Sequence, residues 1–234
     1  MMIKKVALVT GGNKGIGKEI VRGLYEAGVK VYLGARNLER GRVAAKEIAA
    51  EIEIIQQDIT DEASIDTAYE AINKNEKCLD ILVNNAAMNL GAAASSQVTV
   101  QEMRTVFETN VFSIVGMTNR FLPLLKKAEH ANIVNLSSDV ASLQLQKESA
   151  DLPLSYPSSK TAVNALTVHY ASEFKNSHLH FNMIAPGFVD TDFNGHRGTK
   201  TPQEGAAAPL KYALDFSDHA PNGVYASSEG VIPF

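Results

Sequence analysis

Thr10-Gly11-Gly12-Asn13-Lys14-Gly15-Ile16-Gly17 is the stretch on which the reading of this chain turns. The apolar run Val6-Ala7-Leu8-Val9 stands directly before it, and a stretch of helical periodicity follows. Together they predict a strand, a glycine turn and a helix N-terminus. Backbone N–H groups at such a turn point outward, and the helix dipole adds partial positive charge, so the place suits a phosphate. Glycine lets a pyrophosphate touch the backbone where a Cβ would collide with it. Two motifs compete for these letters. Gly12 to Lys18 fits the GxxxxGK of a P-loop, but the next residue is Glu19 where that motif needs Ser or Thr for Mg²⁺. Gly11, Gly15 and Gly17 fit a dinucleotide turn whose spacing differs from the common GxGxxG.

Outward from this turn, β-rich apolar runs alternate with helix-periodic ones. Strands are expected at Ile3–Val9, Lys30–Gly34, Ile52–Gln56, Ile81–Asn84, Ala131–Leu136, His180–Ile184 and Val224–Ala226. Helices are expected near Ile16–Ala27, Leu38–Ala50, Ala63–Asn75, Val100–Lys127, Ser158–Lys175 and Pro202–Leu214. Most of the strands are continuously apolar rather than alternating, as in parallel strands covered on both faces. The pattern predicts an α/β fold: a Rossmann-type, doubly wound parallel sheet in three layers, α/β/α. No linker or repeat divides it, so residues 1–234 are expected to form a single dinucleotide-binding and catalytic domain.

With 234 residues and 45% hydrophobic content, the chain can bury a large core. A net charge of −4 without a basic run argues against nucleic acid as partner. No apolar window is long enough for a membrane helix, and none at the start is long enough for a signal peptide. The single Cys78 precludes an intrachain disulfide. These features predict a cytoplasmic protein. His178 and His180 have no third ligand at a recognisable spacing, so no metal is expected.

The second strand ends Leu33-Gly34-Ala35-Arg36. Dinucleotide folds commonly place an acid near here for the ribose 2′-OH. Arg36, with Lys14, offers instead a grip for a 2′-phosphate, which favours NADP(H). Further on come Asp58, Asn84-Asn85-Ala86, Asn110, Ser137-Ser138, Tyr156-x-x-x-Lys160 and Pro186-Gly187. In this order, each at the end of its expected element, they resemble the short-chain dehydrogenase/reductase family over essentially the whole chain. The wording of the glycine turn, Ala35-Arg36-Asn37 and Thr201-Pro202-Gln203-Glu204-Gly205 further resemble its NADPH-dependent carbonyl reductase branch.

The resemblance implies reduction of an aldehyde or ketone, or the reverse oxidation of a secondary alcohol, polyol or steroid. A non-catalytic dinucleotide sensor is the alternative from another class. It implies catalytic roles for Asn110, Ser138, Tyr156 and Lys160. It implies NADP(H) contacts at Gly11, Asn13, Lys14, Gly15, Ile16, Gly17, Arg36, Asp58, Ile59, Asn84, Ala86, Tyr156, Lys160, Pro186, Gly187, Val189 and Thr191. The chemistry is coherent on its own terms. A carbonyl that accepts hydride becomes an alkoxide and needs a proton, which tyrosine can give. An ammonium about 4.5 Å away, at an effective dielectric of about 20, would favour the phenolate by up to about 3.7 kcal/mol. Spacing i,i+4 puts Lys160 on the same helix face as Tyr156, although Pro157 sets Tyr156 at the helix threshold. Ser138 would stabilise the developing oxyanion. By resemblance, Asn110 would order a water linking Lys160 to solvent.

Two departures from the family pattern stand out. Ala87 takes a place often held by Gly, and seventeen residues separate Ser138 from Tyr156. The insert, with Leu143, Leu145 and Leu152, is expected over the substrate entrance or an interface. The apolar helix around Leu166, Val168 and Ala171 suggests a homodimer, and the insert a monomer.

Overall fold

The structure, a computed structural model, describes residues 5–91, 94–148 and 153–234. The first two residues of the expected opening strand, Ile3 and Lys4, and the insert's Leu152 lie outside them. Strands β1 (Val6–Thr10), β2 (Lys30–Ala35), β3 (Glu53–Gln56), β4 (Ile81–Asn84), β5 (Ala131–Leu136), β6 (Leu179–Ile184), β7 (Tyr225–Ser227) and β8 (Gly230–Val231) form one sheet in the order 3-2-1-4-5-6-7-8. All pairs are parallel except β7 with β8. The helices are α1 (Gly15–Glu26), α2 (Leu38–Lys46), α3 (Glu62–Asn75), α4 (Val100–Phe107), α5 (Ser113–Leu125), α6 (Leu143–Glu148), α7 (Ser155–Glu173) and α8 (Pro202–Ala213). Successive strand residues face opposite layers. Val9, Leu33, Val83, Val134 and Ile184 pack in one core with Ile20 and Leu24 of α1 and Ala206 of α8. Leu8, Tyr32, Leu82, Ile133 and Phe181 pack in the other with Ile72 of α3 and Met117 and Phe121 of α5. Both faces are therefore dry, which accounts for the unbroken apolar runs.

The expected helix Val100–Lys127 is interrupted. One π turn, Glu108–Phe112, lies between α4 and α5, and Asn110 is buried within it. Such a widened turn inside a helix frequently marks a functional position. Helix α7 begins three residues earlier than expected, so Tyr156 is already helical and Pro157 sits in the first turn, where its missing N–H costs nothing. Helix α2 ends at Lys46 rather than Ala50, with Glu47 as its cap. Strand β8 and helix α6 were not foreseen. Helix α6 lies against the tail: Gln144 N donates to Phe234 O at 3.3 Å, and Leu145 packs on a small core of Tyr225 and Ile232.

The sheet also holds buried amides. Asn132 Nδ2 donates to the carbonyls of Ala213 and Asp215, and Asn182 Nδ2 to that of Pro221 at 2.6 Å. Asn182 Oδ1 accepts from Val224 N at 3.0 Å. These bonds satisfy the buried amides and pin the segments that lead out of α8 and into β7.

Candidate active site

The strand order reverses between β1 and β4, and open α/β sheets bind ligands in the crevice beyond the strand ends at that point. The glycine turn lies there. Gly11 has φ +63° and Gly15 φ +52°, left-handed conformations that favour glycine. Asn85 braces the turn: its Nδ2 donates to Thr10 O at 2.9 Å and Gly11 O at 3.2 Å. Thr10 Oγ1 in return accepts from Asn85 N and Ala86 N, each at 3.0 Å. Asn85 was missed as a bracing residue in the sequence, where it is one member of a motif. Helix α1 starts with no side-chain cap and no acid in its first turn. Its first N–H groups face the crevice without a protein carboxylate to compete for them, which fits a pyrophosphate.

The P-loop alternative fails on its lysine. The Lys18 ammonium is ion-paired with Glu47, and Glu19 with Arg22. Arg36 behaves differently. It is exposed at the end of β2 and has no hydrogen bond or ion pair among the described residues. Its charge reaches Asp58. Burial raises the Asp58 carboxyl, but hydrogen bonds from Thr60 N and Oγ1, helped by Arg36, hold it below the usual carboxylate range. Ile59 follows it, half-buried. Lys14 is not free: its Nζ is 3.1 Å from Asp192 Oδ2. Asp192 also meets His196 Nε2 at 3.0 Å, and His196 Nδ1 lies 2.7 Å from Asp190. This chain links the glycine turn to the loop after β6. Thr191 is there too, its Cγ2 3.1 Å from where a Cβ on Gly15 would stand. Asn13, Ile16, Pro186 and Gly187 are half-buried around the same crevice, and Val189 is buried against Gly205.

Asn84 turns its side chain into the sheet. Its Nδ2 donates to Asn135 Oδ1 at 2.8 Å, and Asn135 Nδ2 to Thr167 Oγ1 at 2.9 Å. Asn84 Oδ1 is left buried and unpartnered. Ala87 needs no glycine, since among the described residues only His196 is non-glycine with a positive φ.

On the other side of the crevice, β5 delivers Ser138 and α7 delivers Tyr156 and Lys160. The Ser138 hydroxyl lies close enough to the Tyr156 phenol to favour its ionised form. Ser137, the other serine of the pair, is instead buried and donates to Asn164 Oδ1 at 2.6 Å. Lys160 is 3% exposed, and its Nζ donates to Leu136 O at 2.7 Å. The ammonium stands 5.8 Å from the Tyr156 ring centroid. Spacing alone suggested that Lys160 would pull the phenol toward neutral pH. Instead, burial pushes Tyr156 up to about 12, with the Ser138 hydroxyl opposing and the Asp139 charge adding to it. Burial likewise draws Lys160 down to about 8. Both groups lose water, and that loss is the largest cause of each shift.

Asn110 does not sit idle in its π turn. Its Oδ1 accepts from Met88 N at 2.8 Å, and its Nδ2 donates to Met88 O and Ser159 Oγ, each at 2.9 Å. Both amide hydrogens are used, and the side chain ties the loop after β4 to the N-terminal part of α7. Two aromatic residues complete the surroundings without any signal in the sequence. Phe193 stands edge-on to Tyr156, ring centroids 5.4 Å apart. Tyr225 donates from its hydroxyl to Ser138 O at 2.5 Å.

Comparison with known proteins agrees with this geometry. A family model described as short chain dehydrogenase matches residues 5–202. The chain is 31% identical to carbonyl reductase (NADPH) 1 of Bos taurus, with 97% of each chain covered. It is 28% identical to (+)-neomenthol dehydrogenase of Arabidopsis thaliana over 98% of each. It superposes on an NADPH-bound carbonyl reductase from chicken fatty liver with a TM-score of 0.85 at 28% identity, covering all of both chains. The protein belongs to the short-chain dehydrogenase family and is an oxidoreductase of the nicotinamide dinucleotide type. No helix among the described residues is long and apolar enough to cross a membrane.

Proposed function

We propose that the protein reduces an aldehyde or ketone to an alcohol with NADPH, acting as a single dinucleotide-binding and catalytic domain in the cytoplasm. The carrying observation is that Ser138 stands beside Tyr156 with Lys160 buried one helical turn on, in a fold whose first helix has an uncapped N-terminus behind a glycine turn. The bare start of α1 and the glycine turn would hold the pyrophosphate. Arg36 would hold the 2′-phosphate, with Lys14 once it leaves Asp192. Asp58 and Ile59 would flank the adenine, with the main chain at Asn84 and Ala86. Pro186, Gly187, Val189 and Thr191 would line the nicotinamide end. When bound, the cofactor supplies the hydride.

The protein's own residues handle the proton. Ser138 holds the carbonyl oxygen by its hydroxyl and stabilises the negative charge that develops there. Tyr156 gives that oxygen its proton. A phenol held near 12 is protonated at neutral pH and remains far more acidic than the alcohol formed, so it can give the alkoxide its proton. Asn110 positions the loop after β4 and the start of α7, and the lone pair left on its Oδ1 would order a water for Lys160.

Loss of NADPH absorbance across a carbonyl panel tests this reading. Tyr156→Phe keeps the ring and its contact with Phe193, and it should lower turnover about 10²-fold or more, with NADPH affinity nearly unchanged. A Tyr156→Phe protein working at the parent rate overturns the mechanism. A parent protein that binds NADPH and reduces nothing points to the sensor.

A further inference from the structure

Beside the proposed catalytic pair is a cavity of about 200 Å³ that the mechanism above does not use. Asp139, next in the chain after Ser138, forms one wall, and Gly187 of the loop after β6 forms another. Lys200 and the β7–β8 hairpin, with Ser227, Glu229 and Val231, close it. An engineered cavity of about 150 Å³ holds a benzene ring, so this one admits a ring with a substituent. Its polar groups are not balanced. Gly187 has φ +83°, and the Lys200 side chain crosses it, its Nζ 3.0 Å from where a Cβ would stand. That ammonium reaches Glu229 Oε1 at 3.2 Å and Ser228 Oγ at 3.3 Å, so Glu229 neutralises it. Asp139 has no hydrogen bond to its carboxylate and no ion pair among the described residues. Lys200 is thus matched by Glu229, and the Asp139 charge is left facing the space. The carboxyl is half-buried, and burial pushes its pKa up, Lys200 opposing and Glu229 adding to the rise. A carboxylate so placed gains most from a donor that arrives with a ligand. Its charge is also felt at Tyr156, which puts cavity and proton donor in one electrostatic field.

We propose that this cavity is the polar end of the substrate site, and that Asp139 selects carbonyl compounds carrying a hydrogen-bond donor, a hydroxyl or an ammonium, a few bonds from the reacting carbon. The inference rests on the reductase reading for the carbonyl and on the cavity for the donor. The hydrophobic remainder of such a substrate would lie against Phe193, which is 41% exposed beside Tyr156.

Three ketones test it: cyclohexanone, and cyclohexanone bearing a hydroxyl or an amino group across the ring from the carbonyl. In the parent protein, kcat/KM should favour the donor-bearing ketones by roughly ten-fold or more, the scale of a hydrogen bond to a charged group. Asp139→Asn should remove most of the preference for the amino ketone and keep part of that for the hydroxy ketone. Asp139→Leu should remove both. Thermal unfolding confirms that the variants fold. An unchanged ranking of the three ketones in both variants overturns the proposal. Calorimetric titration of the NADP⁺-loaded protein with the three corresponding alcohols reads the same contrast without turnover. If no ketone is reduced, the reductase reading falls. Asp139 is then judged on binding alone: equal affinity for plain and donor-bearing alcohols refutes it, and a preference lost in Asp139→Leu supports it.

Discussion

Lys160 is a residue whose placement costs the fold something. Burial holds its ammonium at about 8 against an ordinary 10.5. Between those values the unfolded chain keeps a proton that the folded chain has lost, so stability rises with pH through that window. Below about 8 the buried charge is a full penalty, about 3 kcal/mol at most. Tyr156 acts in the opposite sense at higher pH. Its folded value near 12 exceeds the ordinary 10.0, so its contribution is present below 10 and is lost as pH rises toward 12. Lys160→Met should therefore stabilise the cofactor-free protein at pH 7 by about 1–2 kcal/mol, after subtracting the lost bond to Leu136 O. The gain should vanish at about pH 9 and reverse by about pH 10.5, where only the lost bond remains, and urea denaturation at pH 7 and at those values checks it. A variant less stable than the parent at pH 7 contradicts the expectation. The sequence named Tyr156, Lys160 and Ser138 as neighbours because their spacing is local to one helix and one strand end. It could not show the balance between desolvation and attraction, which depends on Leu136 O and on packing from distant elements.

The glycine turn and its brace are the element on which the cofactor reading depends. A Cβ on Gly17 would lie 2.4 Å from both Asn85 Nδ2 and Gly11 O. Helix α1 cannot shift away, because Ile20 and Leu24 are fully buried against the sheet. Gly17→Ala should cost about 1–3 kcal/mol, the usual range for overpacking. It should weaken NADPH binding more than it lowers the melting temperature, as the displaced groups are those that shape the turn. Equilibrium dialysis alongside a melting curve separates the two effects; undiminished NADPH affinity would contradict the assignment. Strands β2, β4 and β5 were legible nearly to the residue because they are buried on both faces and bounded by turn residues. The π turn at Asn110 was not. Nothing in Glu108-Thr109-Asn110-Val111-Phe112 breaks helical periodicity, and the distortion answers to Met88 and Ser159, which are remote in sequence. The pairing of Lys14 with Asp192 was equally hidden, since 178 positions separate the two.

For the whole molecule, cofactor choice should be visible as stability. A ligand that binds only the folded state at a hundred times its Kd adds about 2.7 kcal/mol. For a chain of this size that is a rise in Tm of about 5–10 °C. NADPH should give that rise at a concentration where NADH gives little. Arg36→Ala should bring the two together, since a charge-assisted bond to phosphate is worth about ten- to 150-fold in affinity. Equal shifts by both cofactors in the parent protein would remove the case for the 2′-phosphate. Light scattering settles the mass: one chain excludes the homodimer suggested by α7, whose Leu166 is half-buried and whose Val168 is 39% exposed.

The bond from Tyr225 to Ser138 O bears on when the protein can work. Strand β7 pairs with β6 at the margin of the sheet, yet its tyrosine hydroxyl reaches the carbonyl of the proposed oxyanion-binding serine. The phosphate turn is made from residues near position 11 and the Ser138 carbonyl is secured from position 225, so the site draws on almost the full span of the chain. During synthesis the glycine turn, the paired first strands and even the Tyr156–Lys160 helix emerge before the hairpin that fastens them. A nascent chain that can already bind nucleotide would stay catalytically silent until residues 225–232 leave the ribosome, and chemistry would begin only with the last strands in place.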